Sequence, residues 1–234
     1  METKGFIFDY GGTLDNNGDH WAPVIREAFA TLPIPEIPLD RFCQAYVYAE
    51  RLLAKERHIM PEHNFAQMMR IKAEIELNEL AADGIVSPAD IPAFAKQIAE
   101  YCDDRARRCT YEAIPVLEYL SQKYRLALVS NFYGNINSVL QHYGLAHFFP
   151  HVIESAVVGV RKPDPSIFRL GVEALGLKPQ EVVVVGDSIS KDIVPAQSLG
   201  CQTIWIKGRP WFGEKTPEHS GKSIDSISEL AMLY

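Results

Sequence analysis

The hydrophobic and polar positions of this sequence divide the chain into three regions. The first region is one short apolar run, Phe6-Ile7-Phe8, which ends at Asp9 and is followed by Gly11 and Gly12. Short apolar runs bounded by glycine are typical of strands in parallel sheets, which are buried on both faces. The pattern therefore predicts a buried strand that carries one carboxylate, Asp9, at its carboxyl end.

The second region, from about residue 16 to residue 108, has apolar residues at helical spacing and no alternating or β-branched stretch that would indicate a strand. The spacing predicts helices over about residues 21–32, 39–57, 65–82 and from about residue 90 onward. Prolines between residues 33 and 38 and the pair Asp83-Gly84 mark breaks between these helices. The region is therefore predicted to be an all-helical insertion.

From about residue 112 onward, the pattern changes to strands, glycine-containing turns and helices in repetition. The predicted strands lie near residues 125–129, 152–157, 181–185 and 203–206, and the predicted helices near residues 115–123, 136–143, 165–175 and 192–199. This alternation is typical of a parallel sheet with right-handed crossovers, to which the first strand is expected to belong. The predicted fold class is α/β, with a Rossmann-like core of residues 1–15 and 109–234 and an inserted all-helical domain of residues 16–108.

The composition and charge exclude some classes of protein and leave the predicted fold unchanged. The chain has 234 residues, of which 47% are hydrophobic and 23% are charged, so one sizeable core can form and extensive disorder is not expected. The formal net charge of −7 disfavours a nucleic-acid surface, which needs clustered lysine and arginine. A small-molecule substrate is the better expectation, and an anionic one would need a local positive site. A monomer or homodimer is expected.

The four cysteines, Cys43, Cys102, Cys109 and Cys201, are scattered and form no CxxC pair, as expected for free thiols in a reducing compartment. The N-terminal residues lead directly into the first strand, without the apolar segment of a signal peptide. The sequence also has no run of 18 apolar residues that could span a bilayer. These features predict a protein of the cytoplasm that does not act at a membrane.

Polar residues follow the predicted strands at the edge where open parallel sheets bind ligands. Asp9 follows the first strand, Ser130 the second and Asp187 the clearest one, and Lys162 follows the weak strand near residue 155. Two facing carboxylates repel each other unless a cation lies between them, and Mg²⁺ prefers oxygen ligands. With a lysine beside them, these residues predict a Mg²⁺-dependent site for a phosphate group.

Four motifs at these strand ends resemble those of the haloacid dehalogenase superfamily of aspartate-nucleophile hydrolases. Residues 6–14 are similar to the first motif, an apolar strand followed by Asp-x-Asp-Gly-Thr-Leu, and Val129-Ser130-Asn131 is similar to the second. Lys162 matches the third motif, and Gly186-Asp187-Ser188 with Asp192 matches the fourth. Four motifs in the right order are specific evidence. The resemblance implies that residues 16–108 form a helical cap domain of the C1 type.

The resemblance also implies a role for each matched residue. Asp9 would attack phosphorus and form an aspartyl-phosphate that water later hydrolyses, and Lys162 would neutralise charge on the phosphoryl oxygens. Asp9, Asp187 and the backbone carbonyl of Gly11 would hold Mg²⁺. The residues implied to bind the phosphoryl group are Gly12, Thr13, Ser130, Asn131 and Lys162. Two further residues, Asp192 and Ser188, are implied to position the site residues without binding the metal or the phosphoryl group themselves. Asp192 would orient Lys162.

Gly11 is the departure from the family pattern that bears most on the chemistry. Phosphatases of the family have an aspartate there, two residues after the nucleophile, which protonates the leaving oxygen and then activates water. Such general acid–base catalysis contributes roughly 10²–10⁴-fold to the rate. Gly11 has no side chain for this role, although its backbone carbonyl is retained. The resemblance therefore implies a metal site but leaves the acid unassigned.

Three functions are consistent with this departure. First, the chain could be a phosphatase for a small phosphorylated metabolite, restricted to leaving groups that need no proton, or with Asp15 or a cap residue as the acid. Second, it could cleave another bond, as do related haloacid dehalogenases, with tyrosine at this position, and phosphonoacetaldehyde hydrolases, with alanine. The latter use a cap lysine, and Lys55-Glu56-Arg57-His58 is superficially similar to their segment. Third, it could be a weak enzyme that binds a phosphorylated ligand or a protein partner.

The phosphatase is the preferred prediction, because dehalogenases need no metal whereas Asp187 and Ser188 are in place here.

Some further features are interpreted as structural. His20 and Trp21 are read as a hinge and a helix start in preference to the lining of a cap mouth. The basic run of Arg105, Arg107 and Arg108 is read as a solvated helix end. The segment 209–213, Arg-Pro-Trp-Phe-Gly, is predicted to be an exposed aromatic loop that could contact a dimer partner or a substrate.

Overall fold

A six-stranded parallel sheet forms the centre of the protein, in a computed structural model that describes residues 2–214 and 221–234. The strands are β1 (Gly5–Phe8), β2 (Arg125–Ser130), β3 (His151–Glu154), β4 (Val182–Gly186), β5 (Gln202–Ile206) and β6 (Lys222–Ile224). Their order in the sheet is β3-β2-β1-β4-β5-β6, and each neighbouring pair is parallel. The predicted α/β fold is confirmed, and β1 lies in the interior of the sheet, between β2 and β4.

The alternating side chains of β1 explain why its sequence is apolar throughout. Ile7 packs with Phe168 in the hydrophobic core on one face of the sheet. Phe6 and Phe8 belong to the larger core on the opposite face. Because helices cover both faces of a parallel sheet, every residue of this strand is buried. Asp9 is the first residue beyond the strand, where the sheet ends.

Helices cover the sheet and form the inserted region. They are α1 (Trp21–Phe29), α2 (Leu39–Lys55), α3 (Phe65–Ala81), α4 (Ile91–Ser121), α5 (Ile136–His142), α6 (Ser155–Val158), α7 (Ser166–Leu175), α8 (Val194–Ser198) and α9 (Leu230–Leu233). Residues 16–108, all of which the structure describes, contain helices and no strand, as predicted. We refer to residues 16–108 as the cap region and to the rest of the chain as the core. Within the cap region, α3 packs against α2 and α4.

Helix α4 differs most from the prediction, which placed a domain boundary after residue 108, a change of pattern at about residue 112 and a new helix at Pro115. The structure has one helix of 31 residues with Pro115 inside it. A proline within a helix removes the hydrogen bond to the carbonyl four residues earlier, here that of Tyr111. Tyr111 is 76% exposed and lies on the solvent side of the helix, where water can replace that bond. The predicted domain boundary therefore falls inside a continuous helix that begins in the cap region and ends in the core.

Three shorter elements also differ from the prediction. β3 ends at Glu154 rather than at residue 157, and the Glu154 side chain accepts hydrogen bonds from the amides of Gly134 and Ile136. Helix α6 follows at once. The helix predicted over residues 192–199 begins earlier, with a π-helical turn over residues 189–193. β6 is not predicted, since its three residues are too few to show a strand pattern.

Two side chains that the sequence predicts to be exposed are half-buried, and one of them, Trp211, joins the core to the cap region. Arg105 of α4 is half-buried and donates to Asn16 Oδ1 (2.8 Å) and to Asp19 Oδ2 (3.1 Å). Trp211, in the loop after β5, is also half-buried, and its ring centroid lies 5.2 Å from that of Tyr46 in α2. The prediction of an exposed side chain is wrong for Arg105 and Trp211, because both meet partners that are distant in sequence. Arg107 and Arg108 of the basic run, and Arg209 and Gly213 at the ends of the loop, are exposed as predicted.

The cysteines are free thiols, in agreement with the prediction. Three of them are buried, and Cys43 is half-buried. Across residues 2–214 and 221–234, no helix has both the length and the apolar composition that crossing a membrane requires.

Glu76 is a buried carboxyl group of α3 to which no described residue donates a hydrogen bond. It lies one helical turn after Lys72, whose ammonium forms an ion pair with Glu50 of α2 instead. Burial raises the pKa of Glu76 to about 7, against the opposing charge of Lys72, and Glu50 adds to the rise. The folded protein therefore holds this group protonated over a pH range in which the unfolded chain releases the proton.

We expect Glu76 to make the protein less stable as the pH rises from about 5 to about 8. The stabilising protonation is fully present below the unfolded pKa of 4.5 and is lost as the pH rises through the folded pKa of about 7. Glu76→Gln should therefore gain roughly 3 kcal/mol or less over the wild type at high pH, and little at low pH. Denaturant unfolding at both pH values measures this, with the surface substitution Glu74→Gln as control. Equal stability differences at the two pH values would contradict the prediction.

Candidate active site

The sheet brings four of the predicted site residues to one edge. Asp9 follows β1, Ser130 ends β2 and Asp187 follows β4, and these strands are neighbours. Lys162 lies on the loop between α6 and α7. Asp9, Ser130 and Lys162 are all buried, so their polar atoms contact one another rather than bulk water.

Lys162 forms ion pairs with two carboxylates. Its Nζ atom lies 2.6 Å from Asp9 Oδ1 and 2.7 Å from Asp192 Oδ1. Burial disfavours the ammonium, but the charges of Asp192 and Asp9 outweigh burial and raise the pKa of Lys162. Lys162 is therefore a fixed positive charge beside Asp9, and Asp192 lies where it can orient that charge.

Two hydroxyl groups complete the contacts of Asp9. Ser130 Oγ donates to Asp9 Oδ1 at 3.0 Å. Thr13 Oγ1 lies 3.5 Å from Asp9 Oδ2 and donates to Asp187 Oδ1 at 3.0 Å, and it accepts a hydrogen bond from the Asp187 amide at 3.0 Å. Oδ1 of Asp9 is thus held by Lys162 and Ser130, while Oδ2 has only the longer contact to Thr13.

Three carboxylates meet at this edge of the sheet. One oxygen from each of Asp9, Asp187 and Asp192 lies within 4.8 Å of the other two. Burial, followed by the charges of Asp192 and Asp9, raises the pKa of Asp187 well above its ordinary value, because the neighbouring carboxylates repel its charged form. No hydrogen bond from a described residue reaches the carbonyl oxygen of Gly11. This set of oxygen donors, with a repulsion that a cation would relieve, fits the predicted Mg²⁺.

The turn after β1 uses two of its backbone amides for its own hydrogen bonds. The amide of Gly12 donates to Asp15 Oδ1 at 2.7 Å, and the amide of Thr13 donates to the carbonyl of Tyr10 at 3.1 Å. These amides are therefore engaged within the turn, and the binding of a phosphoryl group by Gly12 and Thr13 stays a prediction. Gly12 has a φ of 91°, and a Cβ atom there would lie 2.6 Å from Asp187. Both the conformation and the close approach to Asp187 require glycine at this position.

Asn131 and Ser188 hold the backbone of the site. Asn131 Oδ1 accepts from the amide of Lys162 at 2.9 Å, and Asn131 Nδ2 donates to the carbonyl of Lys162 at 3.1 Å. The Asn131 side chain thus forms two hydrogen bonds with the backbone of Lys162, and its binding of a phosphoryl group stays a prediction. The amide of Ser188 donates to Asp192 Oδ2 at 3.0 Å. Both residues therefore position Lys162, Asn131 directly and Ser188 through Asp192.

Asp15, a sequence-based candidate for the proton donor, anchors the turn. Its Oδ1 accepts from the amide of Gly12, and its Oδ2 accepts from Trp21 Nε1 at 3.1 Å. Burial raises the pKa of Asp15 to about 8, in opposition to these hydrogen bonds. Because both oxygens already accept hydrogen bonds, neither is free to face a leaving group. The acid that Gly11 lacks is therefore not replaced by Asp15 in this arrangement.

The cap region covers the sheet edge and encloses a cavity of about 1210 Å³. The cavity is lined from the core by Asp9, Ser130, Lys162, Asp187 and Asp192, and from the cap region by Tyr46, Glu50, Phe65, Met68 and Lys72. His20 and Trp21 also line it, and His20 Nδ1 accepts from the amide of Ala22 at the start of α1. These two residues therefore begin the helix, as interpreted from the sequence, and contribute to the cavity wall as well.

The sequence analysis missed a polar cluster on the cap side of this cavity. Lys72 is buried, forms an ion pair with Glu50, and has its ammonium 3.9 Å from the ring centroid of Tyr46. Tyr133 Oη, on the loop after β2, donates to Glu50 Oε1 at 2.9 Å. The sequence of α3 does contain one indication of this cluster. Lys72 lies four residues after Met68 on the buried face of the helix, where an apolar residue is expected.

The fold and the site together define a class of protein. An aspartate at the end of an interior parallel strand, paired with a lysine and grouped with two further aspartates under a helical cover, is the arrangement of an α/β enzyme that acts through a carboxylate. The model of the haloacid dehalogenase-like hydrolase family matches residues 3–200. The chain therefore belongs to the haloacid dehalogenase-like hydrolases.

Two curated relatives are phosphatases, and one solved structure is a dehalogenase. A phosphoserine phosphatase of Thermus thermophilus is 36% identical over 135 residues, which are 54% of this chain and 53% of the relative. A glyceraldehyde 3-phosphate phosphatase of Pyrococcus furiosus is 43% identical over 90 residues, which are 38% of this chain and 37% of the relative. The matched segments thus span about half or less of these relatives. A dehalogenase with an intermediate complex has a TM-score of 0.64 at 20% identity, over 99% of this chain and 97% of the other, which shows a shared fold.

Proposed function

We propose that this chain is a Mg²⁺-dependent phosphatase that hydrolyses a small phosphorylated metabolite through an aspartyl-phosphate on Asp9. The observation that carries the proposal is the contact of Asp9 with Lys162 and Ser130, beside the carboxylates of Asp187 and Asp192. Phosphoryl transfer through an enzyme carboxylate needs a nucleophile, positive charge for the phosphoryl oxygens and donors for a divalent cation. The phosphatase relatives support the same chemistry.

In the proposed first step, a carboxylate oxygen of Asp9 attacks phosphorus while the bond from phosphorus to the leaving oxygen breaks. Lys162 and Ser130 hold Oδ1 of Asp9, so Oδ2 is the less engaged oxygen. The ammonium of Lys162 also offsets charge on the phosphoryl oxygens. Mg²⁺ bound by Asp9, Asp187 and the carbonyl of Gly11 would neutralise further charge on those oxygens.

In the proposed second step, water attacks the phosphorus of the aspartyl-phosphate, the bond to Asp9 breaks and inorganic phosphate is released. A side chain that gives a proton to the leaving oxygen and then takes one from water would assist both steps, and Gly11 offers none. The first step therefore favours leaving oxygens that depart as stable anions. Acyl and aryl phosphates have such leaving groups, whereas alkyl phosphates do not.

Two alternative activities fit the site less well. A dehalogenase needs no metal, whereas the three carboxylates here lie close enough to repel one another, which a bound divalent cation would relieve. A phosphonate-cleaving enzyme needs an uncharged lysine that forms a Schiff base. Lys55 is exposed at the end of α2, and Lys72 is held as an ammonium because the charge of Glu50 outweighs burial and raises its pKa well above the ordinary value. Trapping with borohydride in the presence of phosphonoacetaldehyde should accordingly label neither lysine.

We expect the purified protein with Mg²⁺ to hydrolyse acetyl phosphate and p-nitrophenyl phosphate with a kcat/KM roughly 10²-fold or more above that for a simple alkyl phosphate. The ratio follows from the missing acid at Gly11, which matters least for leaving groups that need no proton. Chelation by EDTA should abolish phosphate release, and added Mg²⁺ should restore it. No hydrolysis of any of these compounds with Mg²⁺ would refute the proposed function. Equal rates on alkyl phosphates would show that another group supplies the proton.

A further inference from the structure

The same cavity contains a second polar site, formed by Glu50 of α2, Lys72 of α3 and Tyr133 of the loop after β2. We call it the cap polar site. Glu50 Oε1 accepts hydrogen bonds from the Lys72 ammonium and from the Tyr133 hydroxyl, the second at 2.9 Å. All three residues line the cavity that contains Asp9. None of them takes part in the two steps proposed for phosphate hydrolysis.

The two charged groups of this site differ in what they offer to the cavity. The side chain of Lys72 is 5% exposed, and its ammonium is covered by Glu50 and by the ring of Tyr46. The side chain of Glu50 is 37% exposed, and over the described ranges no hydrogen bond reaches its second oxygen, Oε2. The cap polar site therefore presents a hydrogen-bond acceptor to a molecule in the cavity.

Glu50 and Lys72 are both charged. Burial disfavours the carboxylate of Glu50, but the charge of Lys72 and its hydrogen bond outweigh burial and lower the pKa of Glu50. The ion pair has no net charge, so its free oxygen can accept from a neutral hydroxyl as well as from an ammonium. A carboxylate on the ligand would lie against the carboxylate of Glu50 and be repelled.

We propose that the cap polar site selects phosphorylated substrates whose opposite end carries a hydrogen-bond donor, a hydroxyl or an ammonium, over those that end in an alkyl group or a carboxylate. The inference rests on the proposed phosphatase function, because it takes the phosphoryl group to bind at Asp9. The donor binds Oε2 of Glu50, while Lys72 and Tyr133 fix the carboxylate through Oε1. A hydrogen bond to a charged acceptor changes affinity by roughly tenfold to a hundredfold.

The test measures binding rather than turnover, because alkyl phosphates are expected to be poor substrates. Aminoethyl, hydroxyethyl, propyl and carboxymethyl phosphate differ in their terminal group and are compared as competitive inhibitors of p-nitrophenyl phosphate hydrolysis. The aminoethyl and hydroxyethyl compounds should bind roughly tenfold or more tightly than the other two. Glu50→Gln should remove this preference. It should also strengthen binding of carboxymethyl phosphate, because the charge that repels the carboxylate of this compound is then removed.

Matched variants separate this role from a purely structural one. Glu74→Gln removes a carboxylate of α3 that pairs with Arg70 on the surface, and it should leave all four inhibition constants unchanged. Tyr133→Phe removes one hydrogen bond to Glu50 and should weaken the preference less than Glu50→Gln does. Thermal unfolding verifies that each variant is folded.

The proposal is overturned if propyl or carboxymethyl phosphate binds the wild type as tightly as hydroxyethyl phosphate does, or if Glu50→Gln keeps the wild-type preference. Stabilisation of the protein against heat by the same four compounds measures their binding without any turnover. A protein that fails to hydrolyse p-nitrophenyl phosphate but shows this pattern of stabilisation would refute the phosphatase function and support the cap polar site. The two proposals can therefore fail separately.

Discussion

Replacing Asp9 with asparagine is expected to lower kcat/KM for acyl and aryl phosphates about 10⁴-fold or more. Asparagine has nearly the same shape and can still accept the hydrogen bond from Ser130, so the site should keep its structure. Its amide oxygen is a poor nucleophile and cannot form the aspartyl-phosphate. The substitution also removes one of the two carboxylates that pair with Lys162. Phosphate release at saturating Mg²⁺ measures the loss.

Asp225→Asn is a suitable control for Asp9→Asn, because Asp225 is an exposed carboxylate that pairs with Lys207 outside the cavity. It should keep the wild-type rate, and thermal unfolding should show that both variants are folded. Acid-quenched wild-type protein should show the added mass of one phosphoryl group, and Asp9→Asn should not. An Asp9→Asn activity within about tenfold of the wild type would show that another group is the nucleophile.

The residues at the strand ends could be predicted from the sequence because a parallel sheet brings its carboxyl ends to one edge. Asp9, Ser130 and Asp187 each follow a clear apolar run, and the structure places their strands side by side. Lys162 follows the weak strand predicted over residues 152–157, the second half of which is helix α6 in the structure. The prediction of Lys162 as a site residue therefore depended more on the resemblance to a family motif than on the hydrophobic pattern.

The cap polar site could not be predicted in the same way. Glu50 lies 22 residues from Lys72 and 83 residues from Tyr133, on three different elements. The carboxyl ends of parallel strands always lie at one edge of the sheet, but no comparable rule says which residues of two packed helices meet. The sequence pattern alone therefore does not indicate which residues of α2 and α3 are in contact. The contacts of the Gly12 and Thr13 amides depend in the same way on the conformation of one turn. The sequence thus predicted the residues at the strand ends better than the residues that line the rest of the cavity.

We expect Gly11→Asp to raise kcat/KM for alkyl phosphates by roughly 10²–10⁴-fold, with little change for acyl phosphates. An aspartate at this position can protonate the leaving oxygen in the first step and take a proton from water in the second. An alkoxide needs that proton to leave, whereas an acyl phosphate releases a stable carboxylate. The ratio of the alkyl rate to the acyl rate is therefore the quantity to measure.

The structure has room for the aspartate side chain. A Cβ atom at Gly11 would have no other atom within 4 Å, and Gly11 is not among the glycines with a positive φ. Gly12 is the opposite case, since its φ of 91° and its approach to Asp187 exclude a side chain. Backbone conformation therefore requires glycine at position 12 but not at position 11. The substitution at position 11 tests the chemistry of the site rather than its folding.

Gly11→Ala is the matched control, because it adds the Cβ atom without the carboxyl group. It should fold as the wild type does and leave the alkyl-to-acyl ratio unchanged, so a gain seen only in Gly11→Asp belongs to the carboxylate. An unchanged ratio in folded Gly11→Asp would contradict the assignment of the missing acid to this position. A large gain would show that the core already holds every other part of an alkyl phosphatase. Residue 11 would then decide which leaving groups the enzyme accepts, separately from the residues of the cap region that contact the rest of the substrate.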